Sequence, residues 1–240
     1  MHHVNAQGTT SPFTPREWAE SLLAGPAYEP PYEGALQDEF AWHLVKYLRD
    51  ELRLEADVQV HRPGALFAVD FVVAMPQPGG GVRRLAFECG GARALRDHDR
   101  QSRRDAALVA SGAVDAVYRL RGSDLLHHME DVLHLVAEWE GTEAASPFSE
   151  RGRINLRTLA SPEARALRLR PEQPSVMVTY CLDPDADDVD RHLWHVANGT
   201  PPFVLVRRFD RRYPEVWGPL VDVAPADARP AALVPLRKAS

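Results

Sequence analysis

Two acidic residues stand where acids are costly. Asp70 lies in Phe67-Ala-Val-Asp-Phe-Val-Val and Glu88 in Leu85-Ala-Phe-Glu-Cys-Gly-Gly, each the lone carboxylate of an otherwise apolar segment. Burying an ionised carboxylate without a partner is strongly unfavourable, so each asks for a counter-charge. If the two segments are antiparallel strands joined through Gly79-Gly80-Gly81, strand alternation sets Ala68, Asp70 and Val72 on one face and Ala86, Glu88 and Gly90 on one face of the next strand. The carboxyl groups can then converge on one spot. Paired carboxylates repel unless a cation lies between them, and an oxygen-rich site with open positions suits Mg2+ or Mn2+. A metal held there polarises a phosphoryl oxygen and lowers the pKa of a bound water, which is what phosphodiester hydrolysis needs.

The elements that must hold this pair follow from periodicity. Leu36, Phe40, Leu44, Tyr47 or Leu48 and Leu52 recur at helical spacing, which predicts a helix over 35–54 with Glu39 beside its buried stripe. Asp57 to His61 and Ala65 to Met75 are expected as a hairpin turning at Pro63-Gly64, and Val82 to Cys89 as a third strand. A helix over 93–110 ended by Gly112, a strand over 114–120 and a helix N-capped by Ser123 and running to Glu138 or Glu140 complete the order α-β-β-β-α-β-α. The expected class is α/β. Residues 1–34 read as an N-terminal arm, 35–142 as the core, 143–150 as a linker around Ser146-Pro147, and 151–240 as a β-rich region of unassigned role. Its candidate strands are 175–182, 192–196, 203–209 and 219–223.

The pattern resembles the PD-(D/E)xK nuclease superfamily and, within it, the very-short-patch-repair-like branch, over residues 34–139. The resemblance is carried by Glu39 on the leading helix, Val69-Asp70-Phe71, Phe87-Glu88-Cys89-Gly90-Gly91, Asp99 and Arg104-Asp105-Ala106-Ala107-Leu108. It continues through Gly112 into Ala116-Val117-Tyr118-Arg119-Leu120 and Ser123-Asp124-Leu125. It implies a restriction-endonuclease-like core, with Asp70 and Glu88 as ligands of Mg2+ or Mn2+ and Glu39 as an auxiliary ligand or base. The superfamily places a lysine, or in this branch often an aspartate, two residues after the glutamate, where this chain has Gly90. A histidine common shortly downstream in the branch is matched by Ala94. Gln101 and Arg104 share a helical stripe with Leu108 and are the candidates for the vacant catalytic position. The expected function is therefore metal-dependent DNA endonuclease. Gly90 argues for an alternative, a catalytically inactive nuclease fold acting as a DNA-binding or protein-interaction subunit, with Arg104 salt-bridged to the acids. An RNA-processing nuclease is a third reading.

Charge distribution bears on the partner. The 240-residue chain carries a net charge of −6 and is 45% hydrophobic and 26% charged, an ordinary globular composition. It has 26 arginines and two lysines, Lys46 and Lys238, and seven of the arginines fall between Arg83 and Arg104. Of these, Arg93, Arg96, Arg100 and Arg103 are candidate phosphate contacts, and nucleic acid, DNA in the first place, is the expected partner. A homodimer is the candidate assembly. No apolar run approaches the ~20 residues of a membrane span, and no basic-then-apolar leader is present, so a cytoplasmic protein without a membrane partner is expected. Cys89 and Cys181 lack zinc-ligand spacing, and His127, His128 and His134 read as structural. His98 reads as a surface residue or a phosphate contact. Asp183-x-Asp185-x-Asp187 lacks the glycine and the bidentate acid of a calcium loop and reads as an exposed acidic loop.

Overall fold

The computed structural model describes residues 32, 34–62, 65–90, 98–141, 146–180, 201–214 and 233–235. Helix α1 (Ala35–Val45) leads into three strands, β1 (Leu54–Arg62), β2 (Ala65–Pro76) and β3 (Val82–Gly90). These are followed by α2 (His98–Ala110), β4 (Ala116–Arg121), α3 (Gly122–His127) and α4 (Met129–Glu140). Two further helices, α5 (Glu150–Leu159) and α6 (Pro162–Ala166), precede β5 (Ser175–Thr179), β6 (Phe203–Asp210) and the short β7 (Leu233–Pro235). The chain is an α/β protein built on one mixed sheet, in the order β5-β6-β4-β3-β2-β1-β7.

The first three strands form an antiparallel meander, as the period-two pattern predicts. The turn after β2 uses Gly80 and Gly81 at φ of 85° and 84°, a region open to glycine at no steric cost. β4 lies parallel to β3, which demands a crossover connection, and α2 belongs to it. Both faces of the sheet are covered. On one, Phe40 of α1 packs against Phe71 and Phe87, each with ring centroids 5.5 Å away, and Phe87 stacks on Tyr118. On the other, Ala106, Leu108 and Val109 of α2 join Val72, Ala86, Val117 and Phe209 in a second apolar cluster.

Three expectations need correction. The leading helix stops at Val45 rather than reaching residue 54. Leu48 and Leu52 keep the apolar spacing and are both 2% exposed, but they are buried from turns, with Leu48 bridged to Phe148. The helix expected from Ser123 starts at Gly122, with Arg121 at the N-cap, and breaks at His128, whose φ of −142° and ψ of 37° lie outside the helical range. Residues 150–159 and 162–166, expected to begin a β-rich region, are helical instead. Ser149 caps α5 by accepting from the Gly152 N–H, and Ser161 caps α6 with Pro162 in its first turn.

The expected strands at 175–182 and 203–209 appear as β5 and β6, while 192–196 and 219–223 lie outside the described residues. β6 pairs with β4, so the C-terminal strands extend the same sheet.

A buried charge cluster fastens this join. Arg83 of β3 donates to Glu140 of α4 through Nε and Nη2, each at 2.9 Å, and to Asp210 of β6 at 2.9 Å. Tyr118 donates its hydroxyl to Glu140 at 2.5 Å.

Candidate functional site

The β2–β3 ladder pairs Phe71 with Phe87 and Val72 with Ala86. Carried one residue further, that register sets Asp70 opposite Glu88, and directly opposed residues of an antiparallel pair point to the same face. Phe71 and Phe87 face α1, so alternation turns the two acids toward α2. Beyond the last ladder pair the Asp70 carboxylate takes over the role of a backbone acceptor: Oδ2 receives the Cys89 N–H at 2.6 Å.

α2 supplies the counter-charge. Arg104 Nη1 donates to Glu88 Oε1 at 2.8 Å, and its Nη2 donates to the Ala68 carbonyl. From β4, Arg119 reaches to within 3.9 Å of Glu88 Oε2 and is held by a two-pronged bond to Asp105, each arm 2.6 Å. Asp105 is fully buried and Glu88 is 6% exposed. The constellation is thus three carboxyl groups, Asp70, Glu88 and Asp105, interleaved with two guanidiniums. Burial pushes Glu88 up to about 7; the Arg104 charge opposes the rise and the Asp70 charge adds to it.

The sequence-predicted residues divide as follows. Asp70, Glu88 and Arg104 come together at one end of β2 and β3 under α2. Gln101 is half-buried, one turn before Arg104 and Asp105 on the same helix. Glu39 is not part of this group: it accepts from His43 Nε2 at 3.0 Å, on the helix that covers the opposite sheet face. Arg100 and Arg103 are exposed on α2, whereas Arg93 and Arg96 lie outside the described residues. Gly90 pairs with Arg121, two residues beyond Glu88. Arg119 and Asp105 lie outside the expected site residues, although a lone arginine in the apolar segment 116–120 is the same signal as a lone acid.

The arginines decide how well the site suits a divalent cation. One oxygen of Glu88 is engaged by Arg104, the other faces Arg119, and one oxygen of Asp70 is spent on the backbone. Among the described residues no group of three His, Cys, Asp or Glu side chains is arranged to hold a metal ion. This donor set does not fit Mg2+ or Mn2+, because a guanidinium 2.8 Å from a ligand oxygen competes for it and repels the cation. No helix among the described residues is long and apolar enough to cross a membrane. No protein-family model, no curated protein and no solved structure matches the chain.

Proposed function

We propose that the chain is a restriction-endonuclease-like core that binds nucleic acid through phosphate contacts and does not hydrolyse it. The observation that carries this reading is the Arg104–Glu88 ion pair at 2.8 Å, which uses the acid otherwise available to a metal. The meander followed by a parallel crossover, with the two acids facing each other under the crossover helix, supports the nuclease-like core. Gly90 supports inactivity, since the face beside Glu88 carries no third catalytic side chain there. Arg100 and Arg103, exposed on the helix that delivers Arg104, supply positive charge beside the site. DNA is the partner proposed first, and a cytoplasmic location belongs to the same proposal.

The juxtaposition of Asp70 and Glu88 favours a second reading, metal-dependent phosphodiester hydrolysis. It requires Arg104 to withdraw from Glu88.

One experiment separates the two. Labelled single- and double-stranded DNA and RNA are titrated with the wild-type protein at about 50 and 200 mM salt, then incubated with Mg2+ or Mn2+. The proposal expects binding that weakens steeply with salt and leaves the strands intact. Cleavage that disappears in Asp70→Asn establishes the second reading. Absence of binding to every substrate overturns the proposal.

A further inference from the structure

The sheet face that carries the acid pair continues past it. Glu88 pairs with Arg119, Arg119 with Arg207, and Arg207 with Ser175, so these four residues form one row across β3, β4, β6 and β5. Neighbours in register share a face. α2 covers that face as far as Phe209, which belongs to the cluster with Leu108 and Val109. Beyond Phe209 the described face opens: Leu205, Arg207 and Ser175 are half-buried, and Met177, opposite Leu205, is 55% exposed. The alternate residues of these strands, Val176, Val178, Val204 and Val206, are buried on the other side.

Arg207 is the charged residue in the outward series Phe203, Leu205, Arg207, Phe209. Its neighbours are already neutralised: Arg119 by Asp105, and Arg121 by Asp124 at 2.5 and 2.7 Å. Arg207 itself has no hydrogen bond or ion pair through its guanidinium among the described residues. Burial and the guanidiniums of Arg119 and Arg121 disfavour its charge, and the Asp105 carboxylate, already bonded to Arg119, favours it. A packing role would be met by an apolar side chain, as at Leu205. A guanidinium left without a bonded carboxylate on an open face, beside arginines whose own carboxylates are already engaged, is what an anion subsite requires, and its paired donors match phosphate.

We propose that Arg207 is a phosphate subsite on the open sheet face, taking a phosphodiester group of a nucleic-acid strand that lies on β6 and β5 beside the edge of α2. Its backbone lies two strand spacings, about 10 Å, from that of Glu88. The choice of ligand rests on the nucleic-acid-binding reading; the subsite itself does not.

The test compares wild type, Arg207→Gln and Arg207→Lys, all expected to fold because the side chain is not fully buried and both replacements are polar and of similar length. Oligonucleotide affinity is measured over a salt series, and the Arg207 Nε–H resonance is followed during titration with the oligonucleotide and, separately, with inorganic phosphate. Expected are an affinity loss of about tenfold in Arg207→Gln, a salt slope shallower by about one, and retention of most of the slope in Arg207→Lys. Should wild type and Arg207→Gln bind with the same affinity and slope, the subsite is overturned and the binding reading stands. If no oligonucleotide binds, the binding reading fails. In that case a phosphate-dependent shift of the Arg207 resonance, lost in Arg207→Gln, supports a site for free phosphate, and an unmoved resonance overturns the subsite as well.

Discussion

Arg104 of α2 and Glu88 of β3 form a 2.8 Å ion pair under the crossover helix, with Arg104 also anchored to the Ala68 carbonyl of β2. One side chain therefore ties both acid-bearing strands to the helix above them. The pair gives Glu88 the counter-charge that its place in an apolar strand requires. It also occupies the Glu88 oxygen that a shared cation would need.

Removal of Arg104 leaves a nearly buried acid without its nearest cation. Arg104→Ala is expected to lower unfolding free energy by about 1–3 kcal/mol near pH 8, where Glu88 is ionised. The loss shrinks near pH 5.5, where a protonated Glu88 needs no counter-charge, although the bond to Ala68 is lost at both. Urea unfolding at the two pH values measures this. Equal losses contradict the ion pair as the dominant contact.

Glu88 sets a pH dependence of its own. Its folded pKa is raised to about 7, above the unfolded value, so the native state keeps a proton that the unfolded chain has released. Between roughly pH 4.5 and 7 the native state binds more protons, and stability from this group falls as pH rises through that window. Glu88→Gln lacks the decline. The variant should gain on wild type by up to about 3 kcal/mol between pH 5 and 8. Parallel pH profiles in chemical denaturation refute the shift.

The Arg83–Glu140–Asp210 cluster makes the C-terminal strands part of the core. Glu140 is 3% exposed and receives three hydrogen bonds from Arg83 and Tyr118. Glu140→Ala should cost about 3 kcal/mol, because it removes one of the two carboxylates that hold the buried Arg83 guanidinium and the acceptor of the buried Tyr118 hydroxyl. A fragment ending at residue 142 lacks both Asp210 and the β6 edge that covers β4, and is expected not to fold. A cooperative thermal transition in that fragment would show that the core stands alone.

The sequence disclosed what depends on neighbours along the chain. Alternation around Asp70 and Glu88 made the meander legible and also brought the acids to one face. Arg104 was legible from helical spacing with Leu108. The end of α1 was not, because Leu48 and Leu52 satisfy helical periodicity while being buried from turns. α5 and α6 were not legible, because their arginines leave little apolar periodicity, although Ser149 and Ser161-Pro162 are helix-start signals. Asp105 with Arg119, and the Arg119–Arg207 row, depend on strand pairing between distant segments, which local pattern does not encode.

Calorimetric titration of Mn2+ into the wild-type protein near pH 7.5 tests the central claim most directly, since it asks whether Arg104 or a cation holds Glu88. The account predicts no saturable binding at sub-millimolar Mn2+ in wild type. Stoichiometric binding that is abolished by Asp70→Asn and unaffected by Arg104→Ala would contradict it.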